Sequence, residues 1–505
     1  LPHSRGFWVS KEIIACDSIV EGGSCYLYGS KLATLTTAVD GEIRGFDVRV
    51  QLCVTDESLP DHVIEKFPHL KGFKVIRVPP ALDIHSLVKY QLAVAIFSSE
   101  GECVHITGLQ LPGVLDELFF YDGPLGAVFS SECISLYLWA PTAQEVKAFI
   151  YEEAESKEPY EVPLQESNGV WHAKGPVTWE GCYYVYEVSV YHPSTLRIEK
   201  CIANDPYAKG LSADGKRTLL VNLDSEYLKP EKWDDLSDEK PSLVSFSDTS
   251  IYELHVRDFS ASDATVPADL RGGYLAFTLP NSAGIRHLRR ISTAGITHIH
   301  LLPTFQFGGV DDDKRNWKNV VDFQLLESFP PDSEEQQALV SAVQNDDGYN
   351  WGYNPVLWGV PKGSYSSDPN GFPRIIEFRR MIQALNRIGL RVVLDVVYNH
   401  VYANGPYDEF SVLDKIVPGY YLRRDLDGFV EHSTCMNNTA SEHSMVEQLI
   451  IDDLLHWAVN YKVDGFRFDL MGHIMKRTML RARDELRNLS KERDGVDGSS
   501  IYMYG

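Results

Sequence analysis

Two apolar runs, at residues 390–400 and 463–473, both end in polar residues, and this pattern constrains the fold more than any other feature of the chain. The first run is a near-continuous series of Val and Leu that places Asp395, Asn399 and His400 at or just past its end. Such a series is typical of a strand buried on both faces, as in a parallel sheet. In barrels of alternating strands and helices, catalytic residues follow the carboxyl ends of the strands. The two runs therefore predict parallel strands with a functional site at their ends.

The second run predicts a carboxylate held by an arginine. Arg467 and Asp469 have the same parity along the strand, so their side chains are expected to project together, away from Phe466 and Phe468. An arginine beside a carboxylate keeps that carboxylate ionised. An ionised aspartate at a strand end is placed to attack an electrophilic carbon. The alternative that these residues leave open is a purely structural Arg–Asp pair.

The length of the chain predicts about three domains, because 505 residues exceed what one hydrophobic core usually supports. Short β-type runs separated by turn residues fill residues 1–120 and again residues 121–226, and each region is predicted to form a β-sandwich. The clearest predicted strands lie at residues 8–14, 24–28, 46–53, 91–97, 135–141, 146–151 and 183–190.

Residues 227–505 alternate between predicted strands and amphipathic helices, which indicates βα units and the first half of a (β/α)8 barrel. A long insert at 304–372 interrupts the alternation, and Thr439 and Glu442 have the spacing of a capping box before one helix. Strands are predicted at residues 250–257, 296–303, 390–400, 463–470 and 500–505, and helices at residues 285–294, 375–389 and 446–457 and before residue 488.

Composition excludes several classes of partner. The formal net charge of −24 argues against binding nucleic acid or an anionic membrane. The chain has no apolar run of about 18 residues, so no membrane span is predicted. The eight cysteines show no CxxC spacing, which makes a metal knuckle unlikely to form; most are expected to be reduced and buried. The acidic residues 311–313 lack the spacing of a calcium loop and are predicted to lie in a solvated loop.

The motifs resemble those of a known enzyme superfamily. The runs at 390–400 and 463–473 together resemble the α-amylase superfamily of glycoside hydrolases. The stretch Tyr349-Asn-Trp-Gly-Tyr-Asn-Pro355 is similar to the signature of the pullulanase type of debranching enzyme. From Trp8 onward the chain resembles the plant form of that family, also called limit dextrinase.

The resemblance implies roles for the charged residues at the strand ends. Asp469 matches the family nucleophile, which forms a covalent glucosyl intermediate, and Arg467 matches the residue that orients it. Asp395 matches a residue that binds hydroxyl groups of the sugar whose bond breaks. Without the family comparison, Asp395 is an equal candidate for the nucleophile.

The resemblance also implies substrate contacts outside the charged pair. His400 matches a residue that binds sugar hydroxyls, and Asn399 is expected to support the strand end. Tyr353 is the candidate to stack on the reacting ring. Met436 is expected to touch the substrate. His473 lies where relatives contact the sugar on the leaving side, and capping of a helix is its alternative role.

The implied activity is hydrolysis of α-1,6 branch links in α-glucans by a retaining double displacement, in a plastid. No cofactor is required, calcium is compatible with the family, and the sequence indicates no oligomeric state. In relatives, a glutamic acid directly follows a strand like residues 501–505 and acts as general acid, so the chain, which starts at Leu1 without a signal segment, is expected to be a trimmed fragment without turnover.

Two alternatives to that activity stay open. One is an isoamylase-type or branching-type relative, against which the signature at 349–355 argues. The other is a non-catalytic glucan-binding or regulatory form. The β-modules at 1–120 and 121–226 could contribute glucan binding, although packing against the rest of the chain is favoured for both.

Overall fold

The first region of the chain is a single sheet that closes on itself. The structure, a computed structural model, describes residues 3–505. The strands are β1 (Gly6–Ser10), β2 (Ile13–Cys16), β3 (Ser24–Ser30), β4 (Thr36–Thr37), β5 (Ile43–Arg44), β6 (Val48–Val54), β7 (Lys74–Arg77), β8 (Gln91–Phe97) and β9 (Cys103–Gln110). Seven of them pair in the closed order β1-β2-β7-β6-β3-β8-β9, and β4 and β5 form a separate hairpin. The helices here are α1 (Asp61–Lys66), α2 (Ile84–Leu87) and α3 (Pro112–Phe119).

The sandwich predicted for residues 1–120 is therefore wrong. The sheet closes because β1 pairs in parallel with β9, where Gly6 lies opposite Leu109. These residues lie about a hundred positions apart, so no local pattern encodes their pairing. The strand predicted at 8–14 is also two strands, since the chain turns between β1 and β2 to form a hairpin.

Side chains of the closed sheet alternate between its inside and its outside. On β3, Leu27 belongs to the main apolar core, whereas Tyr28 belongs to a small cluster on the outer face. On β8, Val94 points inward and Ala93 and Ala95 lie outside, next to the β3 tyrosines. The inside of the sheet is thus a packed core, and the outer face carries aromatic side chains over small residues.

The second region contains two sheets that share one apolar core. One sheet has the order β10-β11-β15-β14 and the other has the order β13-β12-β16-β17, with β18 paired to β16. Leu136, Val146 and Val188 from the two sheets are buried in the same cluster. This arrangement agrees with the sandwich predicted for residues 121–226. The strands are β10 (Gly126–Phe129), β11 (Cys133–Trp139), β12 (Ala143–Tyr151), β13 (Tyr160–Pro163), β14 (Gln165–Ser167), β15 (Val170–Pro176), β16 (Tyr183–His192), β17 (Arg197–Ala203) and β18 (Thr218–Leu219).

The third region is built around a parallel sheet of five strands. They lie side by side in chain order, β19-β20-β23-β24-β25, and each adjacent pair is parallel. The strands of this region are β19 (Ile251–Leu254), β20 (His298–Leu301), β21 (Phe305–Phe307), β22 (Pro355–Pro361), β23 (Arg391–Val396), β24 (Gly465–Phe468) and β25 (Tyr502–Tyr504). The helices are α4 (Val256–Ser260), α5 (Ala283–Thr293), α6 (Phe323–Ser328), α7 (Glu335–Ser341), α8 (Pro373–Arg387), α9 (Leu413–Ile416), α10 (Ser444–Asn460), α11 (Lys476–Arg487) and α12 (Lys491–Asp494).

The predicted helical stripes form the buried faces of α8 and α10. Ile375, Phe378, Ile382 and Leu385 of α8 are all fully buried. The capping box predicted before α10 does not form. The Thr439 hydroxyl donates to the carbonyl of Tyr398 instead, and Glu442 accepts from Arg423. The two candidate capping groups are thus recruited by the loop that leads into the helix.

The insert between β20 and α8 contains a buried ionic cluster. Asp312 is buried, and its Oδ1 lies 2.7 Å from Nζ of Lys362. A second cation, Arg374 of α8, lies 3.6 Å from Oδ2 of the same carboxylate. The Asp312 Oδ2 atom also accepts from the backbone N–H of Asp214, in the second region. The prediction that residues 311–313 lie in a solvated loop is therefore wrong for Asp312, because two cations distant in sequence enclose it.

All eight cysteines are free thiols. Three of them, Cys16, Cys25 and Cys201, are buried, and Cys53 is exposed. The expectation that most are buried is wrong, because the other four are half-buried. That most of them are reduced stays a prediction.

Candidate active site

The predicted site residues meet at the carboxyl ends of β23 and β24. The parallel register places Asp395 of β23 directly opposite Arg467 of β24. Asp469 follows β24 by one residue, and its backbone N–H donates to the carbonyl of Val396. The register therefore brings together groups that lie about seventy residues apart in the chain.

Arg467 holds two carboxylates with one guanidinium nitrogen. Its Nη1 lies 3.0 Å from Oδ1 of Asp469 and 3.1 Å from Oδ1 of Asp395. Burial lowers the pKa of Arg467, but the nearby carboxylates outweigh that effect and the net pKa is raised. The prediction that Arg467 and Asp469 project together is confirmed.

The two carboxylates differ in their access to solvent. The Asp395 side chain is 0% exposed, whereas the Asp469 side chain is 16% exposed. Asp395 accepts from the Tyr353 hydroxyl at 2.7 Å and from Nε2 of His300 at 2.9 Å, in addition to Arg467. Its oxygens are therefore occupied by donors of the protein, and Asp469 is the carboxylate that a ligand can reach.

Three further side chains surround the two carboxylates: Tyr353, His400 and Asn399. Burial and the charge of Asp395 raise the pKa of Tyr353, so its hydroxyl remains a donor. His400 lies with Nε2 2.9 Å from the Tyr353 carbonyl and with Nδ1 against Oδ1 of Asn399. Burial lowers the pKa of His400. The Asn399 amide donates to Oδ2 of Asp469 at 3.1 Å, so this side chain supports the candidate nucleophile directly.

Met436 and His473 lie on loops beside the strand ends. His400 forms an isolated bridge with Asn438, which holds the loop containing Met436 against the end of β23. The Met436 side chain is 54% exposed. Nε2 of His473 lies 3.0 Å from the Thr434 hydroxyl in the same loop. The capping role considered for His473 is not seen, because α11 begins after Met475 without a side-chain cap.

Three residues of this site were not predicted from the sequence: His300, Glu253 and Tyr504. His300 of β20 contacts Asp395, and its Nδ1 lies 3.4 Å from Oε2 of Glu253 on β19. Tyr504 of β25 is edge-on to His300, with ring centroids 6.0 Å apart, and its buried hydroxyl has no hydrogen-bond partner within residues 3–505. The alternation His298-Ile299-His300 on a predicted strand was the available signal, since both histidines have the same parity.

No metal centre is formed by the described part of the chain: residues 3–505 contain no group of three or more His, Cys, Asp or Glu side chains arranged to hold an ion. Within the same residues, none of the helices combines the length and apolar character that crossing a bilayer requires.

Two family models match the first half of the chain. Residues 3–117 match the pullulanase N2 domain, which corresponds to the closed sheet. Residues 124–208 match carbohydrate-binding module 48, described as the isoamylase N-terminal domain, which corresponds to the two-sheet region.

Curated relatives match the whole chain. A chloroplastic pullulanase 1 of Arabidopsis thaliana is 65% identical over 506 residues, a match that covers 100% of this chain and 52% of that protein. A pullulanase of Klebsiella pneumoniae is 35% identical over 543 residues, which covers 99% of this chain and 48% of the relative. The chain thus spans about half the length of these relatives. The resemblance to pullulanases is confirmed, and the chloroplastic relative agrees with the predicted plastid location.

Solved structures match the fold over nearly the whole chain. The apo pullulanase of Klebsiella pneumoniae superposes with a TM-score of 0.92 at 33% identity, covering 99% of this chain and 60% of that one. The maltotriose complex of PulA from the same organism gives a TM-score of 0.92 at 34% identity, covering 99% of this chain and 57% of that one.

Proposed function

We propose that this chain, a member of the pullulanase family by similarity along its whole length, contributes the nucleophile side of a site that hydrolyses α-1,6 links in branched α-glucans. The observation that carries the proposal is the arrangement of Asp469, which is reachable from solvent and held by Arg467 and Asn399. The carbohydrate-binding module and the maltotriose complex of a structural relative support a glucan substrate.

Asp469 acts as the nucleophile in this proposal, and Asp395 binds and orients. A nucleophile must be reachable by the substrate. The Asp469 side chain is 16% exposed, whereas the Asp395 side chain is 0% exposed and is enclosed by its donors Tyr353, His300 and Arg467. The other roles that the family resemblance implies are part of the same proposal. Tyr353 stacks on the reacting ring. Direct substrate contacts are assigned to three groups near the strand ends: His400, Met436 and His473.

The reaction retains the anomeric configuration and requires a second carboxyl group about 5–5.5 Å from the nucleophile. Asp395 is not assigned as that acid, because Tyr353, His300 and Arg467 already donate to its oxygens. The proton therefore comes from a group outside this cluster, and the 505-residue chain alone has little or no turnover. No cofactor is required in this proposal, and calcium stays compatible with the family.

In this proposal, the five parallel strands, which lie side by side in chain order, form half of a (β/α)8 barrel. The chain comprises three units, 1–120, 121–226 and 227–505. The three separate sets of sheets support that division. The first unit packs against the third, because Asp116 of α3 accepts from the Tyr420 hydroxyl and from the Ser444 N–H at the start of α10. The second unit contacts the third where the Asp214 N–H donates to Asp312.

Reducing-end release from pullulan tests the proposal. The 505-residue chain is compared with a chimaera that continues after Gly505 with the corresponding sequence of the Arabidopsis relative. We expect only the chimaera to cut, and Asp469→Asn in the chimaera to abolish both turnover and the covalent intermediate.

Asp395→Asn in the same chimaera is the matched control, and we expect it to weaken glucan binding while the intermediate still forms. Hydrolysis by the short chain would contradict the assignment of the acid. Glucan binding without hydrolysis by the chimaera would favour a non-catalytic glucan-binding protein.

A further inference from the structure

The outer face of the closed sheet carries a groove that the debranching site does not use. It has a volume of about 840 Å³ and is lined by Tyr28, Phe46, Arg49, Phe97 and Glu102, among others. One wall is the outer face of β3, β6 and β8. The other is formed by the β4–β5 hairpin with its turn, by Phe46 after it, and by the turn between β8 and β9. A volume of this size lies within the range of about 300–1,000 Å³ that is typical of ligand sites.

Strand register places the aromatic and basic side chains of the groove. Tyr28 lies opposite Arg49 on β6 and opposite Ala93 on β8, and Tyr26 lies opposite Ala95. The two alanines are fully buried in an outer cluster that includes Tyr28 and Ile43. Tyr28 and Ile43 also line the groove, which therefore lies over this cluster.

The groove contains polar groups without partners. The Arg49 guanidinium lies over the Tyr26 ring at 4.1 Å, and its Nε donates to the Tyr28 hydroxyl at 3.1 Å. Among residues 3–505, Arg49 forms no ion pair, and no hydrogen bond uses its two terminal nitrogens. The Glu102 carboxylate, at the far rim, is exposed and likewise unpaired within the described chain. The planar guanidinium is therefore positioned by two tyrosines, with its donors free for a ligand.

An exposed apolar surface completes the groove. Phe46 is 40% exposed, and its ring is edge-on to Tyr28 at 5.1 Å. Phe97 is half-buried against Tyr26 at 5.6 Å. A phenyl face beside free donors and acceptors matches a pyranose ring, which has apolar C–H faces and hydroxyl edges.

The charges of the groove favour a neutral ligand. Asp40 and Glu42 form ion pairs with Arg44, so within residues 3–505 the unpaired charges of the lining are Arg49 and Glu102, one of each sign. A charged ligand of either sign would face one of these two groups, in a chain whose net charge is −24. A neutral polyhydroxylated chain can bond with both of them.

We infer that this groove binds a segment of α-1,4-linked glucan, and that it is a second carbohydrate site on the pullulanase N2 domain, remote in sequence from the strand-end site. The inference rests on the proposed function for its choice of ligand. A site on this domain would hold an outer chain of the branched substrate while the strand-end site holds the branch.

Hydrogen–deuterium exchange of the 505-residue chain with maltoheptaose separates the two sites. We expect protection of backbone amides at residues 40–49 and 97–103, independent of protection at residues 395–400 and 467–473. Phe46→Ala should raise the maltoheptaose concentration needed for half-maximal protection of the groove by about tenfold, which is the loss expected on removing one aromatic contact. Arg49→Lys should weaken it as well, because lysine keeps the charge but lacks the planar donors. Phe323→Ala, an exposed phenylalanine outside the groove, is the matched control and should change nothing.

Each outcome has a defined meaning. Strand-end protection without groove protection overturns the inference and leaves the proposed function intact. Groove protection without strand-end protection supports the inference and contradicts the proposed substrate site. Groove protection that persists in both Phe46→Ala and Arg49→Lys overturns the inference, as does competition by inorganic phosphate, which would identify an anion site.

Discussion

Nε2 of His300 lies 2.9 Å from Oδ2 of Asp395, inside the ring of donors that surrounds this carboxylate. The opposite nitrogen of the imidazole faces Glu253 at 3.4 Å, and the Glu253 side chain is 59% exposed. His300 thus connects the buried end of the site to a carboxylate at its rim. It is a positioning residue for Asp395.

His300→Phe should lower the free energy of unfolding by about 2 kcal/mol, because a buried charged acceptor loses one of its donors. Maltotriose binding should weaken as well, since Asp395 is then free to rotate. Urea unfolding and calorimetric titration measure the two effects.

Glu253→Gln is the control for that substitution and should change the free energy of unfolding by less than about 1 kcal/mol, because the contact is exposed. An equal loss in both variants would show that His300 acts through Glu253 rather than through Asp395.

Arg467→Met should destabilise the fold by about 3 kcal/mol, because it leaves two carboxylates without their shared cation. Urea unfolding of the variant and of the parent chain measures the loss.

Adding Asp395→Asn to Arg467→Met should recover part of the stability, and this recovery distinguishes charge repulsion from lost packing. A double variant that is no more stable than Arg467→Met would contradict the electrostatic account. Urea unfolding of the single and double variants provides the comparison.

Lys362→Met should lower the free energy of unfolding by about 3–5 kcal/mol, the range for removing one partner of a buried ion pair. Lys362 and Asp312 are both 0% exposed at their side chains, and Arg374 is a more distant second cation. Thermal unfolding of the purified chain measures the loss.

Asp313→Asn provides a matched control one residue away from Asp312. The ion pair of Asp313 is with Arg315, whose side chain is 89% exposed, so its removal should change stability by less than about 1 kcal/mol. Similar losses for Lys362→Met and Asp313→Asn would show that burial of the cluster contributes nothing.

The local residue pattern was sufficient to predict the centre of the candidate site. The parity of Arg467 and Asp469 and the apolar run before Asp395 depend only on strand period, and both sets of residues meet in the structure. The contacts of His300 could not be predicted in the same way, because they depend on which strand lies beside β23. The position of a histidine on an apolar strand does not indicate which residue of a neighbouring strand it will contact.

The remaining errors share one physical origin, which is pairing across long sequence separations. Closure of the first sheet depends on Gly6 meeting Leu109, and burial of Asp312 depends on Lys362 and Arg374. The expected capping box failed because Arg423, 19 residues earlier in the segment that leads into α10, binds Glu442. Each of these outcomes is decided by tertiary neighbours rather than by the local residue pattern.

His298 should make the chain less stable in acid. Its side chain is fully buried on β20, and its Nε2 has no hydrogen-bond partner within residues 3–505. Burial lowers the pKa of His298 from 6.5 to about 4, a shift that nearby Asp464 opposes and Arg391 assists. The unfolded chain therefore takes up this proton first as the pH falls. Stability is lost between pH 6.5 and about pH 4, by about 3 kcal/mol in total.

His298→Asn should remove that part of the pH dependence, whereas His62→Asn, at an exposed position, should leave it unchanged. Parallel pH profiles for the parent chain and His298→Asn would show that the buried imidazole does not titrate as argued.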